Sequence, residues 1–560
     1  MSIDKLNGVL TPNRFIPIDT EELTALEQMS RLTKKVNEVV EATNHATDGV
    51  KGKLAIVDYV EDMKENRKLD EVGDFTGSWF GISSPSYSEP GQAGVVESLR
   101  VENETARGSH TSLDERISHD VNFVKTYTET KKNDKFSFVV GDFNELKKLI
   151  DSFNGEETTT IYLKPNTYLF ESKIELPSNI SLIGGYGVVF KWKGKVAHDD
   201  VFLLTKQESA VGGYLATKNI TISGIKFDGE NIQSNFGFIV TGHSQNVLIE
   251  QCEFLNINSS WHCIELNSTY NATIRDCVFI DNNSTVDGTE VIQLDIAIND
   301  VNFPWGGKYD NSPCKKINIL NNTFINSRSA CVGSHSYYAT QLHTEILING
   351  NQVENCHTFI DFYDYENMVV SNNIVNNTAN FLVVRFGDKS SDNITISNNY
   401  FNGFGRIERG SGRFINVMKM DVISCKDWIV TGNQIEHTGD TGIGITGTRF
   451  NISNNILINC LWAGVHLYGV TYSTVANNIL KFAQNRENSQ SYGDLTLGGN
   501  ANVKNKNNVI NGNTIEMLCV RETDDSFFFN NLVDNSRNTS DISRAHNNYI
   551  KNNFKSTGVL

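Results

Sequence analysis

Alternating apolar and polar residues recur along the second half of the chain in one short pattern. The pattern reads N-I-x-I-x-N-N-x-F, as in NITISGIKF at 219–227 and NITISNNYF at 393–401. Successive copies end at the apolar residues Phe227, Phe254, Phe279, Phe324, Val353, Val375, Phe401, Ile435, Leu457, Leu480 and Ile515. The separation is 22 residues from Val353 to Val375 and again from Ile435 to Leu457. A basic coil of about 22 residues, lengthened in places by insertions, is the period of a parallel β-solenoid.

Stacking explains why the same residue types return in each coil. Strands in neighbouring coils lie about 4.8 Å apart, so the alternating Ile and Val would form apolar columns inside the solenoid. The Asn-Asn or Gly-Asn pair falls where the coil turns, and identical Asn side chains can hydrogen-bond from rung to rung and tolerate left-handed backbone. We therefore predict a mainly β chain, folded over 219–515 as a parallel β-helix.

The segments on either side of this repeat have other patterns. Within 1–135, apolar or small residues recur every three and four positions from Leu26 to Thr43 and again within 95–132, which predicts a coiled-coil stalk that trimerises. GDFNELKKLIDSF at 141–153 predicts an amphipathic helix, and short strands follow it, so 136–218 would cap the first coils. The repeat weakens after Ile515, and 516–560 would form closing coils.

Composition excludes several classes of protein. The chain of 560 residues has a formal net charge of −17, which argues against a nucleic-acid partner. We see neither an apolar run of about 18 residues nor a secretion signal, so we expect no membrane span and synthesis in a cytoplasm. Nine cysteines without CxxC spacing indicate reduced thiols, and no motif for a resident metal is visible.

Polar residues that could bind a ligand or catalyse a reaction lie along the second strand of several coils. If Ile264, Ile292, Cys331, Ile360 and Leu382 point inward, one outward row contains Glu265, Gln293, Val332, Asp361 and Val383. The next outward row would contain Asn267, Asp295, Ser334, Tyr363 and Arg385. His335 and Asp364 would lie at the corner beyond these rows, and Glu290 and His262 just before them. The chain would thus carry a polar, solvent-facing patch on consecutive coils.

Paired carboxyl groups on such a patch suit acid–base chemistry. Asp295 and Asp361 would lie two rungs, roughly 9–10 Å, apart, near the upper end of the spacing used by inverting glycosidases, and neighbouring-rung pairs would be closer. One acid could protonate a leaving oxygen while another activates water, and His335 could take either role. The catalytic candidates are Glu290, Asp295, His335, Asp361 and Asp364.

The longest insertion in the repeat lies between Phe279 and Phe324 and carries Phe303, Trp305 and Tyr309. Aromatic rings beside carboxylates suit carbohydrates, although the same rings could instead pin the loop to the solenoid. The sugar-binding candidates are Glu265, Gln293, Trp305, Tyr309, Tyr363 and Arg385. A single outward carboxylate is ordinarily a solvated surface residue, and His243, His262 and His343 are each expected at the surface or in loops.

Three stretches resemble known families. VENETARGSHTSLDERIS at 101–118 resembles a helix near the N-termini of tail and baseplate fibre proteins from phages of Gram-positive hosts. The helix-then-strands stretch that starts near 137 resembles the cap of pectate-lyase-like right-handed β-helices. EVIQLD, KKINILNNTF and GSHS, within 290–336, resemble a pattern in tailspikes and in the preneck-appendage type of teichoic acid depolymerase.

The resemblance implies functional positions at Glu290, Gln293, Asp295 and His335. The spacing of the Asp residues in pectin-cleaving galacturonases is not reproduced, nor is the Ca²⁺-binding Asp set of pectate lyases, so pectin is a doubtful substrate. The expected cofactor is none, although a divalent cation such as Ca²⁺ is compatible with the fold.

Together these features predict a homotrimeric phage tailspike. The protein would be made in the host cytoplasm, join other tail or baseplate proteins through its N-terminal region, and act from the virion tail at the host cell surface. Its right-handed parallel β-helix would bind and hydrolyse wall teichoic acid or a capsular or exopolysaccharide, by glycosidic or phosphodiester cleavage. The alternatives are a non-catalytic receptor-binding adhesin and a bacterial polysaccharide lyase.

Overall fold

The computed structural model describes the C-terminal part of the chain, with internal gaps. The described residues are 137–194, 200–208, 210–258, 261–284, 289–300, 303–334, 341–363, 365–385, 391–403, 412–417, 425–481, 493–499, 503–537, 548–551, 553–555 and 558–559. The coiled-coil stalk predicted within 1–135 and the candidates His335 and Asp364 lie outside these residues. None of the helices in the described part is both long and apolar enough to cross a membrane.

Most strands belong to three ladders, in which each strand pairs in parallel with the equivalent strand of the next coil. The first ladder consists of β1 (Ser137–Val140), β2 (Thr159–Leu163), β5 (Ile180–Ile183), β8 (Thr217–Ser223), β11 (Ser244–Glu250), β14 (Tyr270–Arg275), β17 (Lys315–Leu320), β20 (His343–Asn349), β23 (Tyr365–Ser371), β26 (Ile394–Ser397), β30 (Ile429–Thr431), β34 (Asn451–Ser453), β37 (Thr474–Ala476), β41 (Val509–Asn511), β44 (Phe527–Phe529) and β46 (Tyr549–Lys551).

The second ladder carries the last apolar residue of each repeat. It consists of β3 (Asn166–Phe170), β6 (Val188–Trp192), β9 (Lys226–Asp228), β12 (Glu253–Leu255), β15 (Val278–Ile280), β18 (Thr323–Ile325), β21 (Gln352–Glu354), β24 (Ile374–Asn376), β27 (Tyr400–Asn402), β31 (Gln434–Glu436), β35 (Ile456–Ile458), β38 (Ile479–Lys481), β42 (Thr514–Val520), β45 (Leu532–Arg537) and β47 (Phe554–Lys555). β48 (Gly558–Val559) pairs with β47 in the antiparallel sense.

The third ladder carries the polar rows. It consists of β4 (Ile174–Leu176), β7 (Asp200–Thr205), β10 (Phe236–Gly242), β13 (Ile264–Asn267), β16 (Ile292–Asp295), β19 (Ala330–Gly333), β22 (Thr358–Tyr363), β25 (Asn380–Arg385), β28 (Ile415–Val417), β32 (Ile443–Ile445), β36 (Val465–Tyr468) and β39 (Leu495–Gly498). It merges with the second ladder at the long strand β42, which pairs with both β38 and β39. Two short pairs complete the strands, β29 (Cys425–Lys426) with β33 (Gly447–Thr448) and β40 (Asn505–Lys506) with β43 (Thr523–Asp524).

The predicted amphipathic helix is α1 (Phe143–Asp151). Asp142 caps its N-terminus by accepting a hydrogen bond from the Glu145 backbone N–H at 2.9 Å. Phe143, Leu146 and Ile150 are its buried residues, and the Phe143 ring lies 4.8 Å from that of Phe170 in β3. The helix therefore packs its apolar face on the first coils, as the sequence predicts.

The repeated apolar residues form columns inside the coils. The rings of Phe227, Phe254, Phe279 and Phe324 stack with centroids 5.0, 4.7 and 4.9 Å apart, and successive ring planes are within 7° of each other. In the coils that follow, smaller residues such as Val353 and Val375 take the same buried place. The predicted interior columns are confirmed.

The two residues of each Asn-Asn or Gly-Asn pair have different roles. The first residue takes left-handed backbone, with φ of 53° at Asn321, 55° at Asn398 and 69° at Gly350. The second is a buried Asn whose Nδ2 donates to Oδ1 of the equivalent Asn in the next coil, at 2.9–3.1 Å. This column contains Asn322, Asn351, Asn373, Asn399, Asn433, Asn455, Asn478, Asn513, Asn531 and Asn553. It ties successive coils together through the buried turn.

Candidate functional site

The candidate site lies on the outward side of the third ladder, where strand register decides which side chains become neighbours. Glu265 pairs with Gln293, and Gln293 pairs with residue 333, which in turn pairs with Asp361. The first outward row therefore contains Glu265, Gln293, Gly333, Asp361 and Val383.

This register corrects the sequence-based rows by one residue in β19. Val332 pairs with Ile292 and Ile360 and is buried among the inward residues, so its predicted place in the first row was wrong. Ser334 was likewise misplaced, because Gly333 pairs with Asp361 and Ser334 is therefore level with the buried Phe362. The Ser334 hydroxyl donates to the Tyr363 backbone oxygen and accepts from the Tyr363 backbone N–H, both at 3.0 Å. The two pairs predicted in the second row, Asn267 with Asp295 and Tyr363 with Arg385, are present.

Gly333 leaves a gap in the row that the side chain of Glu290 fills. A Cβ atom on Gly333 would lie 2.6 Å from Glu290 Cγ and still closer to the backbone oxygen of Asp361. Glu290 thus enters the first row at the rung of β19, between Gln293 and Asp361. His262 holds it there, because Nδ1 of His262 lies 3.5 Å from Glu290 Oε2 and 3.2 Å from its backbone oxygen.

We call Glu265, Glu290, Asp295 and Asp361 the carboxylate row. The sequence places it facing solvent, and that prediction was wrong: Glu265 is fully buried, Asp295 is 2% exposed and Glu290 5% exposed, while Asp361 is the most accessible at 9%. Buried carboxyl groups need hydrogen-bond partners. Trp261 Nε1 donates to Glu265 Oε2 at 2.6 Å, and Asp295 Oδ1 accepts from the Ile296 backbone N–H at 2.7 Å.

Aromatic residues lie beside the Glu265 end of this row. The Trp305 ring lies 5.5 Å from that of Trp261 and nearly perpendicular to it, and Trp305 also contacts Phe303 at 5.4 Å. Phe303 is fully buried against a small apolar cluster that contains Val201, Leu204 and Val240. Phe303 therefore pins the insertion to β7 and β10, while Trp305 sits beside the indole that bonds Glu265.

The same insertion is fastened at its far side. Asp310 Oδ2 accepts from the Gly213 backbone N–H at 2.7 Å, and the Tyr214 hydroxyl donates to the Pro313 oxygen at 2.9 Å. Tyr309 is 39% exposed, and its hydroxyl donates to the Phe303 oxygen at 3.2 Å. Tyr309 therefore lies at the surface of the insertion.

Asp361 is paired with an arginine. Arg385 donates two hydrogen bonds to the Asp361 carboxylate, from Nε to Oδ1 at 2.8 Å and from Nη2 to Oδ2 at 2.7 Å. The Arg385 guanidinium also lies 5.9 Å from the centre of the Tyr363 ring. Burial raises the pKa of the Asp361 carboxyl, Arg385 opposes the rise, and the charge of Glu290 adds to it. A charged Glu290 therefore disfavours the ionised form of Asp361.

Three histidines expected at the surface are buried instead. His243 Nδ1 lies 2.9 Å from the Gly213 oxygen, so it belongs to the anchoring of the insertion. His262 holds Glu290, as described above. His343 Nδ1 accepts from the Cys314 backbone N–H at 3.1 Å, and burial lowers the pKa of His343 to about 3. Each ring bonds a neighbouring segment, which explains why these residues lie inside.

Sequence reasoning missed Trp261, Gly333 and the role of His262. Trp261 and His262 precede the strand CIELN directly, and an aromatic residue beside an acid-bearing strand was the available signal. Gly333 stands in a strand among apolar residues, where glycine commonly marks a close approach. The described residues contain no group of three or more His, Cys, Asp or Glu side chains arranged to hold a metal ion.

The geometry permits more than one pairing of acids. Asp361 is level with Gln293, so Asp295 lies two rungs along the axis and two residues along the strand from it, roughly 12 Å between backbone positions. Glu290 enters the rung of β19, about one rung, roughly 5 Å, from the rungs of both Asp295 and Asp361. The longer spacing exceeds the inverting range of glycosidases, and the shorter is near the retaining range.

Neither a protein-family model nor a curated protein sequence matches this chain. Solved structures do: PfbA, a surface adhesin of Streptococcus pneumoniae, is 18% identical over 64% of this chain and 87% of its own, with a TM-score of 0.50. Tailspike protein 3 of Bacteriophage CBA120 is 10% identical over 78% of this chain and 61% of its own, with a TM-score of 0.43. The family 28 exopolygalacturonase of Yersinia enterocolitica is 12% identical over 75% and 78%, with a TM-score of 0.41.

At such identities the likeness concerns the fold, and the similarity to PfbA agrees with the strand pairing described above. The chain has the fold of the parallel β-helix proteins, as its repeat predicts. The particular feature of this β-helix is a buried carboxylate row on the third ladder, with two tryptophans beside its Glu265 end.

Proposed function

We propose that this chain is a homotrimeric phage tailspike whose β-helix binds and hydrolyses a glycopolymer of the host cell surface. The observation that carries the proposal is the carboxylate row beside the ring pair of Trp261 and Trp305. Sugars stack their C–H faces on aromatic rings and bond carboxylates through their hydroxyl groups, and hydrolysis needs one acid and one base at a defined spacing.

Three of the four carboxylates of the row receive a role in this proposal. Glu290, oriented by His262, and Asp295 are the acid–base pair, and Asp361 is oriented by Arg385 as the second carboxylate on the polymer path. Trp305 and Trp261 form the sugar platform. Because Glu290 and Asp295 are buried, a sugar reaches them only after a covering side chain has moved.

The proposed substrates are wall teichoic acid or a capsular or exopolysaccharide, cleaved at a glycosidic or phosphodiester bond. The resemblance of residues 290–336 to teichoic acid depolymerases and tailspikes supports this choice. In the same proposal, residues 1–135 trimerise the protein and join it to other tail or baseplate proteins. The protein is made in the host cytoplasm and acts on the host from the virion tail.

The test is to mix the purified protein with host walls or exopolymer and to follow polymer length by size-exclusion chromatography. We expect the polymer to shorten, and we expect Glu290→Gln and Asp295→Asn to stop the shortening while the protein stays folded. Glu345→Gln is the control, because Glu345 is an exposed first-ladder acid whose carboxylate lies 3.1 Å from Lys315. Shortening that continues unchanged in both site variants would refute the catalytic assignment.

A second candidate function is a receptor-binding adhesin without catalysis. The observation that favours it is that Asp361 is already gripped by Arg385 and that the remaining acids are buried. Tight binding of a polymer that keeps its full length would establish this function. A polysaccharide lyase, the third alternative, would instead leave unsaturated sugar ends that absorb ultraviolet light.

A further inference from the structure

A groove of about 620 Å³ lies where the second ladder turns into the third. It spans three successive coils at the ends of β15, β18 and β21. One wall consists of Asp281, Asn326 and Asn355, and the other of Asn283, Arg328 and His357. The groove is separate from the carboxylate row, but His357 directly precedes β22, the strand that carries Asp361.

The first wall is a rigid column of polar side chains. Asp281, Asn326 and Asn355 each have a φ of 58°, so the turn is the same in these three coils. Asn326 Nδ2 donates to Asp281 Oδ1 at 2.9 Å, and Asn355 Nδ2 donates to Asn326 Oδ1 at 2.7 Å. This wall therefore repeats hydrogen-bonding groups at the rung spacing of about 4.8 Å.

The second wall is formed by residues two positions further along each turn. The Arg328 backbone N–H donates to the Asn282 oxygen at 2.8 Å, and the His357 N–H donates to the Ser327 oxygen at 2.7 Å. These bonds stack the three turns, so Arg328 and His357 stand on neighbouring rungs. Both side chains are exposed toward the groove.

Arg328 differs from other arginines in the described part of the chain. Arg275, Arg385 and Arg449 each bond a carboxylate, of Glu250, Asp361 and Asp427 respectively. Arg328 forms no ion pair with any described residue, although the chain carries a net charge of −17. The Thr358 hydroxyl lies 3.0 Å from His357 Nδ1, so Nε2 is the ring nitrogen that remains for a ligand.

We propose that this groove is a binding site for an anionic group, a carboxylate or a phosphate, carried by a glycan that runs along the solenoid axis. Arg328 would bind the anion through its planar fork, His357 would donate a second hydrogen bond one rung away, and the amides of Asn326 and Asn355 would bind hydroxyl groups. The proposal rests on the proposed function in one respect, because it takes the ligand to be a glycan. It adds that the glycan is charged and places the charge beside Arg328.

The test measures binding of defined oligomers to the full-length protein by isothermal titration calorimetry at low salt. The probes are an oligogalacturonate, which carries carboxylates, a glycerol phosphate oligomer, which carries phosphodiesters, and an uncharged maltooligosaccharide. We expect one charged probe to bind, and its identity names the anion. Arg328→Gln should weaken that binding by about tenfold, and His357→Gln by less, because Arg328 makes the charge-assisted hydrogen bonds.

Arg275→Gln is the matched control, since its guanidinium is already bonded to Glu250 on the first ladder, away from the groove. The control should bind the charged probe as the wild-type protein does. Equal binding by Arg328→Gln and wild type would overturn the proposal, as would failure of both charged probes to bind or equally tight binding of the neutral one.

The groove and the catalytic proposal fail in different ways. If Asp295→Asn loses polymer cleavage but keeps the charged probe, both proposals stand. If the wild-type protein never shortens a polymer yet loses the charged probe on Arg328→Gln, the groove stands and hydrolysis does not. If cleavage depends on Asp295 while Arg328→Gln leaves binding unchanged, the groove proposal alone is refuted.

Discussion

Adding a single methyl group at Gly333 should disturb the packing of the carboxylate row. In Gly333→Ala, the added Cβ would lie 2.6 Å from Glu290 Cγ and closer still to the backbone oxygen of Asp361. The Glu290 side chain can rotate away, but the Asp361 oxygen belongs to a strand paired on both sides. We expect the overpacking to cost about 1–3 kcal/mol and to displace Glu290 from its place between Gln293 and Asp361.

The assay compares the midpoint of urea unfolding and the rate of polymer shortening for Gly333→Ala and wild type. A long solenoid need not unfold in two states, so the midpoint is preferable to an extrapolated free energy. Gly141→Ala is the control, because a Cβ there meets its nearest atoms at 3.5 Å, an ordinary contact. A Gly333→Ala protein with the wild-type midpoint and the wild-type rate would refute the view that glycine makes room for Glu290.

Three further predictions concern buried polar groups. Asn399→Ala removes the oxygen that accepts hydrogen bonds from the backbone N–H and Nδ2 of Asn373, at 3.0 and 2.9 Å. Each buried donor left without a partner should lower the free energy of unfolding by about 1–3 kcal/mol, which is measured as a lower urea midpoint. Arg385→Gln removes the guanidinium that opposes the rise in the pKa of Asp361, so the pKa of Asp361 in the folded protein should rise further. A carboxyl group with a raised pKa in the folded state stabilises the protein at low pH, and that stability is lost as the pH rises through the raised pKa. The variant should therefore lose stability toward neutral pH over a wider pH range than wild type. Burial lowers the pKa of His343 to about 3, so wild type should lose stability as pH falls from about 6.5 through about 3, and His343→Asn should lose less.

The first two of these predictions have a matched control variant. Asn318→Ala removes a half-buried amide with one bond of 3.3 Å, and it should change the midpoint far less than Asn399→Ala. Arg449→Gln breaks an exposed fork to Asp427 and should leave the pH dependence unchanged. An Arg385→Gln midpoint that follows pH as wild type does would contradict the second prediction. An acid unfolding curve of His343→Asn that coincides with that of wild type would contradict the third.

The repeat could be predicted from the sequence because, in a solenoid, residues one repeat apart in the sequence contact each other in neighbouring coils. Residues such as Phe254 and Phe279, one coil apart in the sequence, are stacked rings in the structure, and the second Asn of each turn pair is a rung of the buried column. The amphipathic helix at 143–151 followed from its apolar spacing in the same way. These features depend on residues close in sequence or one period apart.

The site was predicted less well, for two physical reasons. Ala330, Cys331 and Val332 are all small or apolar, so alternation gave no basis for choosing which one faces inward, and the row slipped by one residue at β19. The aromatic cover at the Glu265 end of the row depends on where the insertion packs, and Phe303 decides that by contacting residues such as Val201, which lies 303 − 201 = 102 positions earlier. No local pattern contains that contact.

The most direct test of the central claim is a crystal structure of the protein soaked with a short fragment of the host glycopolymer. We predict that a sugar ring lies against Trp261 and Trp305, with a glycosidic or phosphodiester oxygen within hydrogen-bond distance of Glu290 or Asp295. A fragment bound elsewhere, with Glu290 and Asp295 still covered and unchanged, would contradict the assignment of the carboxylate row as the functional site.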